Sequence, residues 1–230
     1  MKTKLIPLIV TILAIPASQA ATTFSFSTLR FTQNGSVVGG AESSFIHVEN
    51  TLETNGQASD VTASYILTAD FDGDTLADTL TFGLTATAFA PTGSNVSVNS
   101  SGVTGVAGPG NNFFIGEGQA INYTVSVGSV VTSTGAGFAA SFDGFTGGSI
   151  GSTDEGDSYN ANGEVFTGST FDFDSTGTLV PSETLLLTGV SGAVFSSGVD
   201  FGITVEEVPE PSSTALLGLG ALGFLVRRRR

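Results

Sequence analysis

The run Asp70-Phe71-Asp72-Gly73-Asp74-Thr75-Leu76-Ala77-Asp78 holds the densest chemistry in the chain. Its carboxylates, Asp70, Asp72, Asp74 and Asp78, stand at positions 1, 3, 5 and 9 of the run. A hard cation such as Ca2+ takes about six to eight oxygen ligands, and alternate residues of a tight loop can turn inward together. Leu76, at position 7, would offer its backbone carbonyl, and Gly73 permits the sharp turn. Four like charges this close repel one another, and a divalent cation removes that repulsion. The spacing therefore predicts a structural Ca2+ site made by Asp70, Asp72, Asp74, Leu76 and Asp78. Without a cation, the same run is an acidic turn.

The run resembles the D-x-D-G-D-G-x-x-D calcium loops of bacterial extracellular and integrin-type repeats. It departs from them at Thr75, where those loops carry Gly, and it lacks the position-6 Gly and position-12 Glu of an EF-hand. Its flanks alternate like strands, so it is expected to close a β-hairpin joining 61–69 to 79–90.

Other reactive residues are sparse. His47 is the one histidine, set in Phe45-Ile46-His47-Val48-Glu49, and a Ser-His-Asp triad would have to use it. No G-x-S-x-G elbow is present. A glycosidase needs a pair of carboxylates, but spacing singles out no pair. Asp154, Glu155, Asp157 and Glu164, with Asn160 and Asn162 between, fit no ligand template and read as a solvated loop. Asp172 and Asp174 alternate and are expected on one strand face. The balance favours a non-enzyme. Cysteine is absent, which removes disulfides, thiolate metal sites and a lipoprotein cysteine.

Charge limits the partners. Between residues 21 and 207, twenty acids face one cation, Arg30, for a formal charge of −19. Such a surface cannot neutralise phosphates, so nucleic acid is excluded as a partner. Anionic lipid surfaces would repel it. The same charge keeps the domain soluble and suits cations.

The cations gather at the two ends. Lys2 and Lys4 precede an apolar stretch, Leu5 to Ile15, and Ala17-Ser18-Gln19-Ala20 places small residues before a cut after Ala20. Residues 1–20 thus read as a secretory signal peptide. At the other end, Val208-Pro209-Glu210-Pro211-Ser212 is stiff and extended, because each Pro fixes its own φ and restricts its predecessor. An apolar segment, 214–226, follows, and then Arg227, Arg228, Arg229 and Arg230. Those arginines belong on the cytoplasmic side by the positive-inside rule. The segment has 13 residues, short of the roughly 17–25 of a stable span, which suits a temporary halt at the membrane. Gly218-Leu219-Gly220-Ala221-Leu222-Gly223 matches G-x-G-x-x-G by chance, since no βαβ unit surrounds it.

Pro209, Glu210 and Pro211, the apolar segment and the arginine cluster together resemble the PEP-CTERM sorting signal, over residues 208–230. The resemblance implies processing by an exosortase-type membrane protease and delivery to the envelope, outer surface or exopolysaccharide matrix. It implies nothing about the fold of residues 21–207.

The elements that must position these residues read as all-β. Phe24 and Phe26, then Leu80, Phe82 and Leu84, then Ile121, Tyr123, Val125 and Val127 each alternate with small polar residues. Strands are expected near 22–31, 44–49, 61–69, 79–90, 121–131, 138–145, 164–173, 184–190 and 200–206. Hairpin signals stand at Asn34-Gly35, Asn55-Gly56, Asp143-Gly144 and Asn162-Gly163. The segments near 99–112 and 147–163 are expected as exposed loops. The fold class is a jelly-roll-like β-sandwich, 21–207, between the signal peptide and a single C-terminal transmembrane sorting helix, 208–230. The chain's eighteen Phe stand mostly on alternating positions and read as core, and the absence of Trp weakens a lectin reading. Three functions are in view: a structural or adhesive matrix protein, a calcium-dependent carbohydrate-binding module on exopolysaccharide or glycans, and a secreted polysaccharide hydrolase.

Overall fold

A computed structural model describes residues 20–31, 36–38, 44–50, 57–91, 94–107, 113–135, 137–152, 154–173 and 183–208. These residues form strands β1 (Thr22–Leu29), β2 (Ser36–Val38), β3 (Ser44–Asn50), β4 (Gln57–Ala58), β5 (Asp60–Ala69) and β6 (Asp78–Ala90). Then come β7 (Val96–Val98), β8 (Thr104–Ala107), β9 (Phe113–Phe114), β10 (Ala120–Val131) and β11 (Phe138–Ser152). The last are β12 (Ser158–Ala161), β13 (Glu164–Thr167), β14 (Thr170–Asp172), β15 (Thr184–Ser191) and β16 (Val194–Glu207).

They make two antiparallel sheets. One runs β13-β12-β15-β10-β6-β5-β3. The other runs β14-β11-β16-β8-β7-β4, with β1 also on β16, β2 on β1, and β9 on β8. β16 is the centre of this second sheet. Its whole length pairs with β11, while its other edge is shared by β1, from Thr22↔Val205 to Leu29↔Val199, and by β8 at Ser196↔Thr104.

Period-two patterning explains why the sheets face each other. In β5 each of Val61, Ala63, Tyr65, Leu67 and Ala69 is buried, and the residues between them are not. The buried rows of both sheets fuse into one core. Phe26 of β1 packs against Phe82 of β6, with ring centroids 4.9 Å apart, and stacks on Phe201 of β16 at 5.0 Å. Tyr65 stacks on Phe82 from the same sheet at 5.1 Å. Burying a Phe contributes about 2–3 kcal/mol, so this aromatic seam does much of the work that disulfides would do elsewhere. The expected sandwich is present as two packed antiparallel sheets.

Several local expectations are corrected. The 99–112 segment contains β8, with Thr104, Gly105 and Val106 buried between β16 and β7. The 147–163 segment is β11 continued to Ser152, followed by β12. Its glycines hide a strand: a Cβ on Gly151 would stand 2.0 Å from the Phe195 ring, so the small residue makes room for an aromatic neighbour. Asp143-Gly144 is no hairpin. It lies inside β11, where the pairing with β16 slips between Phe142 and Gly144 in a β-bulge. The expected strand at 164–173 is broken by Gly168 and Ser169 into β13 and β14, which belong to different sheets. Asn162-Gly163 does turn β12 into β13, both residues at positive φ (49° and 101°), as a type I′ turn requires. Asn34-Gly35, Asn55-Gly56, residues 1–19 of the signal segment and residues 209–230 lie outside the described residues. Among the described residues no helix is long and apolar enough to cross a membrane.

Candidate metal centre

The acidic run closes the β5–β6 hairpin, as its flanks predict. The ladder ends at Ala69↔Asp78, and residues 70–77 form the turn. Three carboxylates converge: ligand oxygens of Asp70, Asp72 and Asp78 lie within 4.8 Å of one another.

Backbone amides draw them together. Asp70 accepts from the N–H groups of Gly73 (2.7 Å) and Thr75 (3.0 Å). Asp72 accepts from the N–H of Asp74 (3.2 Å) and from the Thr134 hydroxyl. Asp78 is 1 % exposed, and its two oxygens accept from the N–H groups of Phe71 (2.7 Å) and Ser133 (2.8 Å). A carboxylate oxygen carries two lone pairs, so one amide donor does not exhaust it. The arrangement is thus a hydrogen-bonded turn whose three carboxylates stand close enough together to hold a metal ion.

Asp74 lies outside that trio. It accepts the Ser133 hydroxyl (2.5 Å) and the Leu76 N–H (2.7 Å), and these donors hold its carboxyl below the usual carboxylate range. Leu76, whose carbonyl the spacing offers as a ligand, holds its side chain in solvent, 58 % exposed. Thr75 takes a left-handed conformation (φ 70°), which Gly adopts without strain.

Sequence reasoning missed the second half of this centre. Ser133 and Thr134 sit in the connection between β10 and β11, some sixty residues downstream. They tie that connection to the hairpin turn. A Ser-Thr pair in a Ser- and Thr-rich chain carries no signal of its own.

The remaining acids sort differently. Asp157 is nearly buried (9 % exposed) and accepts the N–H groups of Asp154 (3.1 Å) and Ala193 (3.4 Å), clamping two turns. The solvated-loop reading holds for Asp154 and Glu155, which are exposed, and not for Asp157 or for Glu164, which is half-buried on β13. Asp172 of β14 and Asp200 of β16 flank Gly147 of β11 across three strands. Burial, and then the neighbouring Asp172, push the Asp200 carboxyl up, against the pull of the Thr28 N–H at 2.6 Å. Their cleft, lined also by Ser25, Thr146 and Thr170, measures about 410 Å³. Asp174 lies outside the described residues. His47 packs edge-on against Tyr65, ring centroids 5.5 Å apart, on the strand expected for it.

Ala20 is exposed where the described residues begin, and Val208, whose N–H donates to the Gly137 carbonyl (2.9 Å), stands where they end. Pro209, Glu210, Pro211, Arg227, Arg228, Arg229 and Arg230 lie beyond. Residues 207–230 match the PEP-CTERM protein-sorting motif, and no family is assigned to the rest of the chain. A motif of this kind signals export with sorting to the cell envelope or surface and processing of the exosortase type. No curated protein and no solved structure matches the chain.

Proposed function

We propose that this exported protein is a structural or adhesive component of the cell surface or extracellular matrix, placed in biofilm or exopolysaccharide after exosortase-type processing. The observation that carries the reading is the sorting motif at 207–230. The domain before it suits that destination. A formal charge of −19 over 21–207 keeps it soluble outside the cell. Before processing, the apolar segment 214–226 holds the chain at the membrane, with Arg227 to Arg230 on the cytoplasmic side. Calcium completes the reading as a structural ion. Held among Asp70, Asp72 and Asp78, it would lock the β5–β6 turn against the β10–β11 connection. Its role is then stability rather than catalysis.

Sorting is the test. With Arg227, Arg228, Arg229 and Arg230 replaced by neutral residues, the precursor is expected to stay unprocessed and to miss the envelope, as read by fractionation and immunoblot. Normal maturation of that variant would overturn the reading.

A further inference from the structure

One end of the sandwich gathers the first and last strands of the folded domain. β1 starts there, at Thr22↔Val205, and β16 finishes there, at Phe138↔Glu207. Two connections complete it. One is the 70–77 turn, and the other is the β10–β11 connection, which leaves the seven-stranded sheet at Val131↔Thr79 beside that turn. Ser133 and Thr134 fasten the second connection to the first through Asp74 and Asp72. These pieces are remote in sequence and form one surface in space.

The sorting motif joins this end without a spacer. It opens at Glu207, which is still paired in β16, and the Val208 N–H donates to the Gly137 carbonyl (2.9 Å). The two residues from Glu207 to Pro209 span at most about 7 Å. A protein that grips Pro209, Glu210 and Pro211 must therefore lie against the end of the sandwich as well. What it meets there is acidic and partly apolar. Asp70, Asp72, Asp74, Glu206 and Glu207 stand at this end, none of them buried. The one cation between residues 21 and 207, Arg30, lies past the opposite end of β1. Leu76, Val131 and Val208 add three large exposed apolar side chains.

We propose that this end is a docking surface for the exosortase-type protease, engaged together with the motif, and that the protease meets it with a basic surface. The proposal rests on the sorting reading above. The short reach from Glu207 to Pro209 makes the contact unavoidable, and charge decides its chemistry. Carboxylates with no cation among them favour a positively charged partner and repel anionic lipid. Leu76, Val131 and Val208 supply the apolar contacts that the centre of an interface uses. The surface exists only once β1, β5, β6, β10, β11 and β16 have come together. The protease thus reads a folded domain rather than a bare peptide.

The test is pulse-chase labelling of the full-length chain in cells that carry the protease, read as the rate of conversion from precursor to mature form. Glu206→Lys should slow conversion about fivefold, as loss of a complementary charge slows encounter. Leu76→Ser, which changes no charge and lies outside the motif, should slow it by a similar factor. Glu155→Lys makes the same charge change in the turn after β11, at the opposite end, and should leave the rate unchanged. A flexible Gly-Ser spacer of about ten residues between Val208 and Pro209 should slow conversion too, because it uncouples the end from the motif. Unchanged melting temperatures of the purified variants separate lost docking from lost fold. Wild-type rates in both Glu206→Lys and Leu76→Ser, or a spacer that speeds conversion, overturn the proposal. Faster conversion of Glu206→Lys also overturns it and assigns the end to an anionic leaflet. The sorting reading fails separately, by normal maturation once Arg227 to Arg230 are neutral, since Glu206→Lys and Leu76→Ser leave the motif intact.

Discussion

Thr75 shows how much one residue reveals about the turn it occupies. A β-branched side chain at φ 70° is strained, at a cost of about 1–3 kcal/mol. The run tolerates it because the Thr75 N–H is needed by Asp70. Thr75→Gly should therefore stabilise the protein by about 1 kcal/mol, once the extra freedom of Gly in the unfolded chain is set against the relieved strain. A chemical-denaturation midpoint moved downward by that substitution would contradict this account. The carboxylates of the run were legible in the sequence because alternate acids within nine residues leave a loop few other options. Their partition was not. That Asp74 would turn away to Ser133 depends on where β10 ends, which no local pattern encodes. The same holds for Asp172 and Asp200. They meet because β14, β11 and β16 align, and twenty-seven intervening residues hide the pairing.

At the scale of elements, the hairpin turn and the β10–β11 connection form one unit, held by Ser133 and Thr134. A cation proposed among Asp70, Asp72 and Asp78 would act on both at once. With calcium at 100 times its dissociation constant, linkage supplies about 2.7 kcal/mol. The melting temperature should rise in millimolar calcium and fall in chelator, and Asp72→Asn should flatten the difference. A melt indifferent to both conditions would remove the ion from the proposal. Strands with strict alternation, such as β5 and β6, were readable to within a residue or two. Those that escaped were short, like β4 and β9, or rich in glycine, like the second half of β11. There the pattern is set by a neighbour: Phe195 fills the space that a side chain on Gly151 would need, and strand propensity says nothing about it.

The whole molecule is an aromatic-cored sandwich, and its three tyrosines report on that core. All three are about 1 % exposed. Burial pushes Tyr123 and Tyr159 up to about 12 and Tyr65 higher still. Each group is protonated in the folded state well above the ordinary tyrosine value of 10.0. The stability it contributes is complete below that value and is lost as pH climbs from there toward the folded value. Tyrosinate absorbance should therefore stay flat through pH 10 and then rise in one step together with loss of the β-sheet circular dichroism. A gradual titration of tyrosine near its ordinary value, with the sheet intact, would contradict the packed core. Fold class and core were the most legible level, since most Phe of residues 21–207 stand on alternating positions, which gives each strand one face to bury. Which strands share a sheet was invisible, because long-range pairing decides it.

Among the described residues β16 is the last strand to be made and yet the middle of its sheet. Until residue 207 has been delivered, β11, β1 and β8 have no common partner, and half of the core has no roof. A nascent or translocating chain therefore remains threadable almost to its end, without a holdback device of its own. The sorting motif begins where that strand finishes. Completion of the sheet therefore comes directly before presentation of the address in the order of delivery, and a chain that shows its whole tag has already supplied every residue of β16.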